Sequence, residues 1–245
     1  MTGLSPVRIF AAGSLRRAFM AWREDYCARS GNLVEIDFGP AGLLRQRIAQ
    51  GEKVDLYASA NVAHPVALFA RGDVIELRLF AANCLCLTAR RERVSQFHSW
   101  LDILRSPELT LATSTPGDDP SGDYAQQLFA TIERLHPGDG KRIAQKARHL
   151  VGGKNSLTIP AGESAPGWLI LQGMTDTFVG YQSTSITLRD DKRLQLMTIP
   201  ADYNVRADYM LATFTPRGQE LADELCSDTG QYYLRQHGFL PLTPR

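Results

Sequence analysis

The feature that most restricts the fold is an alternation of short apolar runs with helical segments from Val7 to Leu79. Val7 to Ala12 is a strand-like run that breaks at Gly13-Ser14, after which helical spacing carries Trp22 and Tyr26 on one face as far as Gly31. Leu33 to Phe38 alternates as a strand does, Gly39-Pro40-Ala41-Gly42 turns the chain, and Leu43, Leu44 and Ile48 repeat at helical spacing before Gly51. Val54 to Ala60, Ala63 to Ala70 and Val74 to Leu79 then read as strand, helix and strand. The order β-α-β-α-β-α-β calls for parallel strands joined by helical crossovers, with ligands expected at the carboxyl ends of the strands.

The turns in this pattern share a chemistry. Ser14 stands where a helix N-cap belongs, beside amides that the first helical turn leaves unpaired and at the positive end of the helix dipole, a combination that attracts anions. A turn-dense loop from Pro116 to Ala125 opens into a helix over Gln126 to Leu135 with Ser121 as a candidate cap, and Ala161-Gly162-Glu163-Ser164 begins another helix, to Gln172. The strand from Asp176 delivers Tyr181 to a polar loop, Gln182 to Ser185. Converging N–H and O–H donors hold a dianion without lysine or arginine. Donors alone suit a fully deprotonated tetrahedral oxyanion, whereas a protonated phosphate needs an acceptor.

From Asn83 a second unit begins, with a strand to Thr88, a basic run Arg90-Arg91-Glu92-Arg93 read as a solvated loop, and a short helix around Trp100 to Leu104. Further strands are expected at Leu109 to Thr113, Leu194 to Ile199 and Ala207 to Phe214, with helices at Gly140 to Arg148, Arg217 to Cys226 and Thr229 to Gln236. Val151-Gly152-Gly153-Lys154-Asn155-Ser156 fails as a phosphate loop, because no glycine stands five residues before Gly153 and Asn155 occupies the hydroxyl position.

Other classes find little support. The net charge of +1 gives no reason to expect nucleic acid or an anionic membrane as partner, and no window approaches the roughly 20 apolar residues that span a bilayer. A chain of 245 residues, 44% hydrophobic, is long enough to bury one large core or two smaller ones. Cys27, Cys84, Cys86 and Cys226 form no CxxC pair and have no histidine at metal-ligand spacing, so no direct metal-cation ligands and no cofactor are expected. Cys84 and Cys86 read as small hydrophobes, and a meeting of Cys27 with Cys226 stays open. The five histidines are scattered and no G-x-S-x-G elbow occurs, which leaves an enzyme as the weaker reading. Tyr203, Asn204 and Tyr209 are expected in structural roles and Trp168 in a core. An eight-stranded α/β barrel also fits the length, but weak helix signals after Leu188 count against it.

The chain resembles the molybdate- and tungstate-binding proteins of ABC importers, within the two-lobed type II periplasmic binding protein class. The resemblance rests on Phe10-Ala11-Ala12-Gly13-Ser14-Leu15, on Gly42 to Ile48 with Val54-Asp55-Leu56, and on Asp119-Pro120-Ser121-Gly122-Asp123-Tyr124-Ala125. It continues through Gly173 with Asp176 to Tyr181, Tyr203 to Tyr209, Gly230-Gln231 and Gly238-Phe239. It implies two α/β lobes, each a mostly parallel sheet flanked by helices, with one oxyanion, molybdate or tungstate, held between them. The first lobe would comprise residues 1–82 and 195–245, the second 83–194. Ser14, Ala41, Ser121, Ser164 and Tyr181 fall at the positions of ligand donors. At Pro40-Ala41, where many relatives carry serines, a hydroxyl is missing. The resemblance further implies a monomer that is not inserted in the membrane and delivers its anion to an ABC importer permease. Its place is the periplasm, or the cytoplasm if the native gene has no leader, in which case an intracellular anion sensor is the alternative.

Overall fold

A computed structural model describes residues 5–242. The chain divides into two compact units, Met1–Asn83 with Ala207–Arg245, and Cys84–Arg206.

In unit 1 the strands are β1 (Val7–Ala12), β2 (Val34–Gly39), β3 (Leu56–Ser59) and β4 (Glu76–Asn83), joined by α1 (Arg16–Ser30), α2 (Ala41–Ala49) and α3 (Ala63–Phe69). The sheet order is β2-β1-β3-β10-β4, with β10 (Ala207–Thr213) supplied by the returning chain. β1 runs parallel to both β2 and β3, while β10 is antiparallel to β3 and to β4. Four strands therefore share one direction, and the reversed one lies among them. Its burial on both sides explains the small and apolar run Ala207, Tyr209, Leu211 and Ala212, all fully buried.

α1 packs by the face that its spacing predicts: Trp22 is fully buried, stacks on Tyr26 at 5.3 Å and meets Phe19, which in turn meets Phe80 of β4. The helix stops at Gly31, whose φ of 73° only glycine adopts readily. Asp55, just before β3, ties both ends of the chain together. Its carboxylate accepts the Arg8 N–H (2.8 Å) and the Thr215 hydroxyl (2.7 Å), and its carbonyl accepts the Phe214 N–H (2.9 Å). Thr215 in turn caps α10 (Pro216–Cys226) through the Gly218 N–H, and α11 (Asp228–Gln236) packs against α10 and α1.

Unit 2 repeats the plan with β5 (Leu85–Arg90), α4 (Arg91–Val94), α5 (Trp100–Arg105), β6 (Leu111–Ser114), α6 (Pro120–Leu135), α7 (Asp139–Lys146) and β7 (Ala147–Val151). It continues with α8 (Ala165–Leu171), β8 (Thr177–Tyr181), α9 (Gln182–Ser185) and β9 (Leu194–Thr198), in the sheet order β7-β6-β8-β5-β9. β6 is parallel to β7 and β8, and β5 is antiparallel to β8 and β9. Again one strand opposes four. Ala112, Leu169, Ile170, Phe178 and Leu194 form a core between sheet and helix, with Trp168 packed at its margin.

Three expectations change. The return to unit 1 falls at Ala207 and not at residue 195, because β9 is hydrogen-bonded along β5 and so belongs to unit 2. The helix expected to reach Arg148 ends at Lys146, and the next five residues form the edge strand β7. The basic run is solvated as expected but is no loop: Arg91 to Arg93 are exposed on α4, where Arg91 donates to the carbonyls of Lys192 and Leu194 and Arg93 pairs with Asp176 at 3.1 Å, while Arg90 donates to the carbonyl of Ile170. All four cysteines are free, Cys86 buried and Cys84 donating its S–H to Gln182 Oε1.

Gly218 marks the closest approach of α10 to the sheet, since a Cβ there would overlap the Asp55 carbonyl. Gly218→Ala is expected to destabilise the protein by about 1–3 kcal/mol, as overpacking does. Urea unfolding followed by circular dichroism measures it, and an unchanged midpoint would contradict this packing.

Candidate functional site

Parallel register decides which loops meet in unit 1. Ala12 pairs with Gly39 and Ala11 with Ala58, so the segments that follow β1, β2 and β3 leave the sheet at one edge. Gly13 to Leu15 forms a 3-10 turn, and α1 begins after it with Leu15 at its cap. Ser14 therefore does not cap α1. Its hydroxyl instead shares a 2.9 Å hydrogen bond with the phenol of Tyr209, which also accepts from Asn83 Nδ2 at 3.3 Å. Tyr209 is fully buried and its ring is clamped edge-on by Phe80 and Phe239, so it holds the Ser14 hydroxyl in place from within the core.

At the end of β2, α2 starts at Ala41 with Pro40 as its cap and no side-chain hydrogen bond. The first bond of this helix runs from the Leu44 N–H to the Pro40 carbonyl, leaving the N–H groups of Ala41, Gly42 and Leu43 without an acceptor inside the helix. The turn is fixed by the buried Tyr57, which donates to the Ala41 carbonyl at 2.6 Å. Burial raises the Tyr57 phenol pKa, so it stays a neutral donor. Arg45, one turn into α2, is half-buried and its Nε makes no hydrogen bond among the described residues.

Unit 2 gathers its donors by the same rule. α6 follows β6 and α8 precedes β8, so the amino ends of both helices lie toward the carboxyl ends of parallel strands. Asp119, not Ser121, caps α6: its carboxylate accepts the Ser121 N–H at 3.0 Å, with Pro120 in the first turn. Asp118 and Asp123 accept the Lys154 and Gly117 N–H groups, as turn aspartates do. Ser121 is buried and lies against β8, its hydroxyl 3.7 Å from where a Cβ on Gly180 would stand. The next residue, Tyr181, is 5% exposed and meets Tyr124 of α6 edge-on.

Ser164 caps α8 by position but not by bonding. Its hydroxyl is buried and finds no partner among the described residues, while Gly167, where a Cβ would stand 3.0 Å from that oxygen and 2.8 Å from Leu188, keeps the first turn close to it. An unsatisfied buried hydroxyl costs about 1–3 kcal/mol.

The structure thus brings Ser14 and Ala41 to one edge of the unit 1 sheet, and Ser121, Ser164 and Tyr181 to helix starts and a strand end of unit 2. Sequence reasoning missed Tyr209 as the anchor of Ser14, for which no local pattern exists. It offered Ser121 as the cap of α6, although Asp-Pro before a helix points to Asp119. Asn204, given a structural role, fills one: it accepts from the Leu85 N–H and donates to the carbonyls of Leu85 and Ile199. A separate depression of about 660 Å³ opens at the amino ends of β1 and β3, lined by Arg8, Glu52, Lys53, Asp55, Arg71 and Asp73 among others. Its Arg8 is already paired with Asp37 and Glu52. Among the described residues, no group of three or more His, Cys, Asp or Glu is placed to hold a metal ion, and no helix is long and apolar enough to cross a membrane.

Residues 7–240 match the family of bacterial extracellular solute-binding proteins. The chain belongs to that family. An uncharacterized protein of Pasteurella multocida, PM1146, is 48% identical to it over 237 residues, which cover 96% of this chain and 98% of the relative. The fold is shared with the periplasmic molybdate-binding protein of Azotobacter vinelandii (TM-score 0.76, 15% identity, 98% of this chain and 100% of that one). It is shared also with the sulfate-binding protein SubI of Mycobacterium tuberculosis H37Rv (TM-score 0.78, 16% identity, 98% and 88%). This is the type II periplasmic binding protein architecture expected from the sequence.

Burial pushes the Asp119 carboxyl up to about 6, against the lowering effect of its bonds to Ser121 and Ser114. The native state then holds a proton that the unfolded chain has released, so this group's contribution to stability falls as pH rises from about 4 to 6. Asp119→Asn keeps the cap without the charge. It is expected to unfold at a higher denaturant concentration than the parent at pH 7.5, with the gap closing toward pH 4. A gap independent of pH would show that the carboxyl titrates normally.

Proposed function

We infer that this solute-binding protein is the receptor of an ABC importer and captures a small tetrahedral oxyanion, molybdate or tungstate, on the periplasmic side of the membrane. The observation that carries the reading is the buried hydroxyl of Ser164 at a helix start, a donor held ready for an acceptor that none of the described residues supplies. Ser14, Ser121 and Tyr181 offer further hydroxyls and Ala41 its N–H, all at strand ends of the same kind. Ser14 comes oriented by Tyr209. Donors at helix starts are what a fully ionised oxyanion calls for. Proteins that share this fold are named for molybdate and for sulfate, two anions of that shape.

Calorimetric titration with molybdate, tungstate, sulfate and phosphate tests the reading. Tight binding of the first two alone is expected, and no heat with any of the four would overturn it. Ser14→Ala and Tyr181→Phe are each expected to weaken binding about tenfold or more, the worth of one hydrogen bond to a charged group. Loss in both variants would support the donor assignment, and unchanged affinity in both would refute it.

A further inference from the structure

At Pro40-Ala41 unit 1 has no hydroxyl, and Pro40 has no N–H. Arg45 stands four residues after Ala41 on α2, so the two share a helix face, and helical side chains lean toward the amino end of their helix. The Arg45 side chain accordingly covers the turn at which Ala41 and Gly42 present free N–H groups. The first turn of α2 holds no acidic residue, and none of the ion pairs among the described residues includes Arg45. Its Nε is buried and without a hydrogen bond among the described residues. The Tyr57 phenol, bonded to the Ala41 carbonyl, feels the charge of Arg45, which places that charge near the same turn.

By contrast Arg47, two residues further on, is paired on several sides. It donates to Glu52 Oε2 at 2.7 Å and Oε1 at 2.6 Å, reaches Asp37 at 3.3 Å and lies over the Phe10 ring at 4.2 Å. Arg8 and Arg78 likewise hold two carboxylates each. Arg45 has a buried Nε with no hydrogen bond, and no carboxylate pairs with it among the described residues. A guanidinium in that position pairs with an anion brought from outside.

We propose that Arg45 is a ligand-binding residue whose guanidinium replaces the hydroxyl absent at Pro40-Ala41 and grips an anion that presents two oxygens on one centre. The inference rests on the oxyanion reading above and changes its character. With only neutral donors the site is nearly indifferent to ionic strength at fixed pH, whereas one fixed cation makes affinity fall as salt rises. The planar fork also selects for paired oxygens, which a spherical halide lacks.

The test compares the full chain with Arg45→Met and Arg45→Lys, using molybdate, tungstate, sulfate and phosphate as calorimetric probes at low and high sodium chloride. For whichever probe the parent binds, Arg45→Met is expected to lose about ten- to a hundredfold in affinity and most of the salt dependence. Arg45→Lys restores the salt dependence but only part of the affinity, because the charge returns without the fork. Without ligand, Arg45→Met should melt no lower than the parent, since it removes an unsatisfied buried donor. Equal affinity in Arg45→Met and the parent overturns the assignment and leaves the oxyanion reading standing. Loss of binding that follows a lowered melting temperature and is not recovered by Arg45→Lys marks a structural role and overturns it too. A parent that binds none of the probes overturns both.

Discussion

A helix that connects parallel strands has its amino end fixed by geometry. It must start where the preceding strand stops or stop where the following one starts, so every such helix in a sheet turns its unpaired N–H groups toward the same edge. The rest of this structure depends on that constraint. It places Ser14 beside Ala41 in unit 1, and in unit 2 it directs the starts of α6 and α8 toward the end of β8, where Tyr181 stands. Small residues let these turns pack closely against the rest of their unit. Gly13, Gly122 and Gly167 lie at or beside the donors, and a Cβ on Gly122 would strike the backbone of Ser114.

What orients the donors lies deeper. The Ser14 hydroxyl answers to Tyr209, and Tyr209 to the aromatic packing of Phe80 and Phe239. The Ala41 turn answers to Tyr57. In both cases a fully buried phenol reaches from the core to the edge of the sheet: burial keeps Tyr57 protonated, and aromatic packing holds Tyr209 still. These are rigid attachments, suited to holding hydroxyl groups at fixed positions before any ligand arrives.

The alternation of strands and helices through Leu79 was legible because Gly31, Gly39, Gly42 and Gly51 punctuate it, and because apolar period and turn chemistry agree there. β7 was not legible. Its Arg148 and His149 are exposed on an edge strand, so the residues carry no burial pattern to distinguish them from the end of a helix. The pairing of β9 with β5 joins segments more than a hundred residues apart, and no local signal reports a partner at that distance. The turn at Ser14 was legible but not the bond from Ser14 to Tyr209, since a contact between β10 and the first turn exists only once the sheet has formed. Arg45 carries no signal in the sequence, where an arginine on a short helix reads as solvent-facing, and its buried Nε without a hydrogen bond among the described residues shows only in the structure.

The insertion of β10 between β3 and β4 also orders the events of synthesis. Unit 2 is one continuous stretch and can complete its sheet as soon as it leaves the ribosome. Unit 1 cannot, for until Ala207–Thr213 arrives the facing edges of β3 and β4 are open and the Asp55 clasp has no Thr215 to hold. The first segment made is thus the last to close. Those waiting edges are where a nascent chain of this kind is most exposed to pairing with a neighbour.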